Sequence, residues 1–230
     1  MTHKNNSILI SQTIDEAILL LTMNHLDNRN ALSENMINNL SEAISKASIN
    51  EDIKVIVIAS NGPVFSAGHE LKEMNLARKS EDLGRAYFKF LFDSCSSLMQ
   101  LIVNCPKPII AQISGIATAA GCQLVASCDL AICSKSSKFA TPGVNLGLFC
   151  STPMVALSRN INKKNAMHML LTGEMIDAIK AKEIGLINNY VADKMLKKEV
   201  LILAKKIASK SSMTLAVGKK AFYRQSELNL

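Results

Sequence analysis

Tryptophan is absent from the 230 residues, and aromatic side chains make up only 4% of them. Proteins that grip single-stranded nucleic acid stack bases on exposed rings, so this scarcity argues against that class, as does the lack of any recognised nucleic-acid motif. Long hydrophobic runs are missing too. None approaches the roughly 18 apolar residues of a membrane span, because Ser, Asn, Gln or Asp interrupts each candidate, and no membrane association is expected. Residues 1–12 hold one lysine, no arginine and no apolar core. That composition predicts neither a secretory nor a mitochondrial presequence, and hence a cytoplasmic protein. The six cysteines, at 95, 105, 122, 128, 133 and 150, include no C-x-x-C pair and sit in apolar surroundings. They are expected as reduced core thiols. The four histidines are scattered, so no metal site is expected. No internal repeat of fixed period and no low-complexity linker is visible.

Against these absences stands a globular composition, 48% hydrophobic and 20% charged, with 26 Lys and Arg against 19 Asp and Glu. The resulting formal charge of +7 suits an anionic partner such as a phosphorylated small molecule. The lysine pairs at 163–164, 197–198, 205–206 and 219–220 read as solvated helix faces.

Strands dominate the first half and helices the second. Apolar and β-branched runs predict strands over residues 7–12, 17–23, 54–60, 108–113 and 130–134, a short extended piece at 138–143 and a short strand within 186–191. Three- and four-residue apolar spacing predicts a helix from Ser33 and another over 80–104. Further helices are expected at 154–160, 163–172, 177–184, 194–209 and 212–225.

The stretch IIAQISGIATAAGCQLVASCD, residues 109–129, is the centre of this pattern. A buried strand is broken by Ser114-Gly115 and passes through small residues into a helix. Such a turn leaves unpaired backbone N–H groups at the helix start. Backed by the helix dipole, they suit an anion or a carbonyl oxygen that gains negative charge. Ser66-Ala67-Gly68-His69 forms a second junction of the same kind, and two such donors meeting at one point would make an oxyanion hole. The same small residues also serve close packing of a helix on a sheet, and the stretch alone does not separate the two readings.

Five segments carry a resemblance to the crotonase superfamily, also called the enoyl-CoA hydratase/isomerase family. They are RNALS at 29–33, VFSAGHELKEM at 64–74, AQISGIATAAGCQLVASCDLAI at 111–132, FATPGVNLGL at 139–148 and LLTGEMIDAIKAKEIGLIN at 170–188. The resemblance runs from about residue 7 to about residue 224. It implies an α/β fold, with a ββα-spiral core over 1–174 holding an acyl-CoA site. It also implies a helical C-terminal trimerisation region over 175–230, three or six identical subunits, and a further helical segment that this sequence does not include.

The ligand implied is a coenzyme A thioester, CoA entering as part of the substrate, with no tightly bound cofactor. Carried over by position, the backbone N–H groups of His69 and Ala120 would form the oxyanion hole, Ala120 standing where the family usually has glycine. CoA would pass near Arg29, Ala31, Ser66, Ala67, Gly68, Leu71, Lys72 and Gly121. The family's two water-activating glutamates fall at Gln123 and Gly143, neither of which moves a proton at neutral pH. Hydration is therefore expected to be weak or absent, and glutamates restored at both positions are expected to raise it. Other candidate acids or bases are Glu70, Glu73, Asn145, Cys150 and Ser151, with Glu70 expected to cap its helix and Cys150 to be packed. For His69 the resemblance implies a role for the backbone, and its imidazole is expected at the pocket wall. The alternative function is a non-catalytic acyl-CoA-binding or regulatory protein.

Overall fold

The computed structural model describes residues 7–226 and 228. The chain opens with β1 (Leu9–Ile14) and β2 (Ile18–Met23), an antiparallel hairpin whose turn holds Asp15 and Glu16 at positive φ. Helix α1 (Glu34–Ile49) starts where the sequence predicts. The Ser33 side chain accepts the Met36 amide at 3.2 Å, and Met36, Ile37, Leu40, Ile44 and Ala47 form its buried stripe. Then follow β3 (Val55–Ser60), β4 (Val64–Ser66), α2 (Leu71–Ala77), α3 (Arg85–Asn104), β5 (Ile109–Ile113), β6 (Ile116–Thr118) and α4 (Ala120–Ser127). The rest comprises β7 (Leu130–Ser134), β8 (Lys138–Ala140), a 3-10 turn over Pro142–Leu146, α5 (Ser151–Asn160), α6 (Lys163–Thr172), β9 (Ile176–Asp177), α7 (Ala178–Glu183), β10 (Asn189–Val191), α8 (Leu196–Ala208) and α9 (Ser212–Ser226).

The strands sort into two sheets, β1-β2-β3-β5-β7-β10 and β4-β6-β8-β9. Successive turns of the chain each send one strand to the large sheet and the next to the small one: β3 then β4, β5 then β6, β7 then β8. This is a ββα spiral, and it is the internal repeat that no fixed sequence period reveals, because α2 and α3 lengthen one turn and not the next. Both faces of the central strands β3 and β5 are covered, so these two read as nearly continuous apolar runs. Val55, Val57, Ile110 and Ile132 pack on Leu196, Val200, Ala204 and Ala208 of α8. Ile56, Ile58, Ile109 and Ala111 face the larger cluster containing α1, α3 and α4. Beyond residue 174, β9 pairs with β8 and β10 with β7, so the C-terminal region joins both sheets.

Three expectations are corrected. Residues 116–118 do not lead straight into a helix. They form β6, paired with β4 and β8, and Gly115 at φ 79 makes the crossing between sheets, where a Cβ would lie 1.9 Å from the Pro63 carbonyl oxygen. The long helix begins at Arg85, not 80, because the Asp82 carboxylate accepts the Gly84 and Ala86 amides and Gly84 takes φ 84. The extended piece at 138–143 ends at Ala140, and Pro142 starts the 3-10 turn.

Helix α9 has no buried residue. It is held to the core by Lys219, whose Nζ lies 2.7 Å from Asp129, 3.0 Å from the Ile102 carbonyl and 3.2 Å from that of Lys107. The Tyr223 hydroxyl donates to the other Asp129 oxygen at 2.9 Å, and the Ile109 amide donates to Asp129 at the start of β5. The Lys219 and Asp129 side chains are 8% and 16% exposed. Removing one partner of a shielded ion pair strands the other charge and costs about 3–5 kcal/mol. Asp129→Asn is therefore expected to lower the urea unfolding midpoint strongly. Asp129→Asn with Lys219→Met should lose less than the two single variants together, and additive losses would refute the coupling.

Candidate functional site

Small-sheet strand β4 runs into Ala67, Gly68 and His69, and the loop over residues 25–32 brackets that segment. The Ala67 amide donates to the Arg29 carbonyl at 3.1 Å, and the Leu32 amide to the Gly68 carbonyl at 2.7 Å. Asn30, 1% exposed, ties the loop down. Its Oδ1 accepts the His25 amide at 2.8 Å, and its Nδ2 donates to the carbonyls of Asn61 and Val64 at 2.9 and 2.8 Å. Sequence reasoning missed Asn30, because an asparagine in a turn-rich segment looks like any other turn residue.

The neighbouring strand β6 reaches Ala119, whose φ of 50 and ψ of −120 leave the ordinary regions for an L-residue. Such a conformation costs on the order of 1–3 kcal/mol and persists where the surroundings enforce it. Here the Ala119 amide donates to the Ala140 carbonyl at 3.0 Å, and the Ala119 carbonyl accepts the Gln123 amide at 3.0 Å. Helix α4 then starts at Ala120, and all eight of its residues are buried.

The two junctions touch backbone to backbone. At Gly68, φ 91, a Cβ would lie 2.9 Å from the Ala119 Cβ and 3.2 Å from the Ala120 nitrogen. At Gly121 it would lie 2.3 Å from the Ser66 carbonyl oxygen. Neither the His69 nor the Ala120 N–H donates to any protein acceptor among the described residues. Two unengaged amides, one from each turn of the spiral, therefore belong to segments in direct contact at the end of the small sheet.

Around them the structure gathers Arg29, Ala31, Ser66, Ala67, Gly68 and Gly121. Ser66 is fully buried, with its hydroxyl 3.4 Å from the Gly68 amide, so it braces the loop. Lys72 reaches Asn28 with its Nζ at 3.3 Å, which brings its charge to the Arg29 edge, and Leu71 is exposed. The His69 Nδ1 lies 3.4 Å from the Leu32 carbonyl oxygen, its Nε2 is buried without a partner, and Phe92 packs against the ring at 5.4 Å. Burial lowers its pKa, which keeps the imidazole neutral at neutral pH.

Gln123, 5% exposed, lies in the first turn of α4, its Oε1 without a partner. Gly143 lies in the 3-10 turn, where a Cβ would sit 2.8 Å from the Cys150 sulfur and 2.9 Å from the Leu148 carbonyl oxygen. The turn has closed over the space a side chain would need, so a glutamate does not fit at 143 without moving backbone. Restoring both glutamates is thus not the simple change the sequence suggests. The remaining candidates are committed elsewhere. Glu70 caps α2, its Oε1 accepting the Lys72 amide at 3.0 Å. Glu73 accepts the Tyr87 hydroxyl at 3.1 Å and the Glu34 amide at 3.3 Å, and burial together with Glu73 pushes Tyr87 up to about 12. Burial also raises the pKa of Cys150, which leaves it a thiol. Asn145 sits beside Gly173 at the end of α6, and the Ser151 hydroxyl donates to the Phe149 carbonyl. Among the described residues no group of three His, Cys, Asp or Glu is placed to hold a metal ion.

Residues 13–230 match the family model described as "Enoyl-CoA hydratase/isomerase". The "Enoyl-CoA hydratase domain-containing protein 3, mitochondrial" of Rattus norvegicus is 49% identical over 217 residues, 94% of this chain and 71% of that protein. The protein of the same name in Homo sapiens is 47% identical over 210 residues, 91% of this chain and 68% of that protein. The crystal structure of human enoyl coenzyme A hydratase domain-containing protein 3 superposes with a TM-score of 0.92 at 44% identity, covering 97% of this chain and 86% of that one. An enoyl-CoA hydratase structure from Mycobacterium smegmatis gives 0.92, 44%, 97% and 85%. The relatives' names overturn the cytoplasmic expectation and point to the mitochondrion. That expectation rested on the composition of residues 1–12, of which 1–6 lie outside the described residues. In fold, in the small-residue junctions and in sequence along nearly its whole length, the chain belongs to the enoyl-CoA hydratase/isomerase family.

Proposed function

We propose that this protein binds an acyl-CoA thioester of the 2-enoyl type and polarises its carbonyl between the amides of His69 and Ala120, with little or no hydration. The observation that carries this reading is the direct contact between the segments bearing those two N–H groups, neither of which has a protein acceptor among the described residues. Donors fixed before the ligand arrives stabilise charge as it develops, and each is worth about 3–4 kcal/mol. The thioester oxygen accepts both N–H groups, and electron density moves onto it from the conjugated acyl chain. Arg29 and Lys72 line the edge where the CoA phosphates would lie, and the excess of basic residues favours that anion. CoA enters as part of the substrate, and no tightly bound cofactor is invoked.

Hydration also needs a group that takes a proton from water and one that gives a proton to carbon. Gln123 can orient a water but not deprotonate it, and Gly143 has no side chain. Glu70 and Glu73 are engaged in capping and bridging, and Cys150 stays protonated. General acid–base groups contribute roughly 10²–10⁴-fold, so their loss leaves binding and polarisation as the surviving functions. The closed turn at Gly143 favours a second reading, an acyl-CoA-binding or regulatory protein without turnover.

Homotrimeric or hexameric assembly belongs to the same proposal. Leu146, Leu148, Phe149, Met154, Val155 and Leu171, on and around the 3-10 turn, α5 and α6, are all exposed in the single chain. Apolar surface of that kind gains by being covered by another copy. A mitochondrial location is adopted from the relatives' names.

With crotonyl-CoA, loss of absorbance of the conjugated thioester is expected at least about 10²-fold slower than for a hydratase carrying both glutamates. Calorimetry should still detect CoA-thioester binding. Ordinary hydratase turnover would refute the roles given to Gln123 and Gly143, and no binding at millimolar ligand would refute both readings. Gln123→Glu places a carboxylate one helical turn from the amides and is expected to raise hydration about tenfold or more. An unchanged rate would show that this side chain does not face the reacting carbons. Light scattering should give three or six times the 25.0 kDa chain mass, and a monomer would refute the assembly.

A further inference from the structure

The two amides of the proposed oxyanion hole are aimed by different means. In a trans peptide the C=O and N–H point in opposite directions, so a hydrogen bond that fixes the carbonyl also fixes the donor. For Ala120 that bond is local. The Ala119 carbonyl accepts the Gln123 amide at 3.0 Å, within the first turn of α4. For His69 no helix supplies it, because α2 starts only at Leu71. The carbonyl of its peptide, that of Gly68, is held instead by the Leu32 amide at 2.7 Å. Leu32 also pairs with His69 as an isolated parallel bridge, and its carbonyl oxygen lies 3.4 Å from the His69 Nδ1. The direction of the His69 N–H is thus set by the loop over residues 25–32.

What sets the loop is Asn30. Arg29 and Asn30 both take left-handed φ, 52 and 51, which asparagine tolerates better than most residues. The Asn30 amide donates to the His25 carbonyl at 2.9 Å, and its Oδ1 accepts the His25 amide at 2.8 Å, which closes the turn on itself. Its Nδ2 donates both hydrogens across to another part of the chain, to the carbonyls of Asn61 and Val64 at 2.9 and 2.8 Å. Val64 opens β4, and Ala67, just past its end, donates its amide to the Arg29 carbonyl at 3.1 Å. The loop therefore grips β4 at its first residue through Asn30, and beyond its last through Arg29 and Leu32. At 1% exposure the Asn30 side chain is shielded from water, so its hydrogen bonds are not readily replaced.

We infer that Asn30 is a positioning residue for polarisation of the thioester: it keeps the Leu32 amide on the Gly68 carbonyl and so aims the His69 N–H. The same bond strengthens the donor, since hydrogen-bonded peptides polarise one another in series. The inference rests on the acyl-CoA reading and adds the residue on which one of its two donors depends. Asn30 acts through Leu32.

The test reads the carbonyl itself. Crotonyl-CoA labelled with carbon-13 at the thioester carbonyl is bound to saturation, and isotope-edited infrared difference spectra record its C=O band. In the wild-type protein the band is expected below that of the free thioester. Asn30→Gly removes the side chain and leaves the left-handed backbone unstrained. It is expected to lose about half of that shift, one of two donors being misdirected. Crotonyl-CoA should bind about two- to tenfold more weakly to it, the value of one hydrogen bond. Asp129→Asn, at the opposite end of α4, is the control, which loosens the fold and should keep the full shift. Asn30→Ser retains one donor, is expected to lose part of the shift, and replaces the glycine variant if that one is too unstable to titrate. A full shift in the Asn30 variant, or an equal loss in Asp129→Asn, overturns the inference and leaves the acyl-CoA reading in place. An unshifted band in the wild-type protein, or no binding, overturns both.

Discussion

The contact between Gly121 and the Ser66 carbonyl, with Gly68 pressed against Ala119 and Ala120, is the constraint on which the site depends. Two turns of the spiral meet there without side chains between them. The register of the small sheet makes this possible, since Ser66 pairs with Ala117 and both chains leave the sheet at the same end. One Cβ at either glycine would force the turns apart and separate the two amides. The unusual conformation of Ala119 belongs to the same constraint, because it swings the chain from β6 into α4 within one residue.

Much of this is local and therefore visible in the residue order. The serine cap and apolar stripe of α1, the β-branched run of β3 and the limits of α6 follow from spacing and propensity alone. The two junctions stand out as clusters of small residues after apolar runs. What escapes is what tertiary contact decides. Three residues of β6 are too few to show a period, and only their partners in β4 and β8 make them a strand. Asn30 reads as a turn residue until its three hydrogen bonds show that it joins the loop over residues 25–32 to the strand end. Gly143 reads as a missing carboxylate, yet the space beside it is already filled by Cys150 and Leu148.

In the function proposed, fold and chemistry separate. The spiral and the buried small-residue helix are kept, while Gln123 and Gly143 stand where the resemblance implies glutamates. Backbone donors survive changes of side chain, because every residue but proline carries one. Acid–base groups do not, and a single substitution removes each.

The anchoring of the last helix has a kinetic corollary. Lys219 meets the Ile102 carbonyl across 117 positions of sequence, and Asp129 gains Lys219 and Tyr223 only when the C-terminus arrives. Contacts of such long range close the largest loops and form late. Until then Asp129 holds the start of β5 alone, and docking of the last helix brings both its counter-charge and part of its cover.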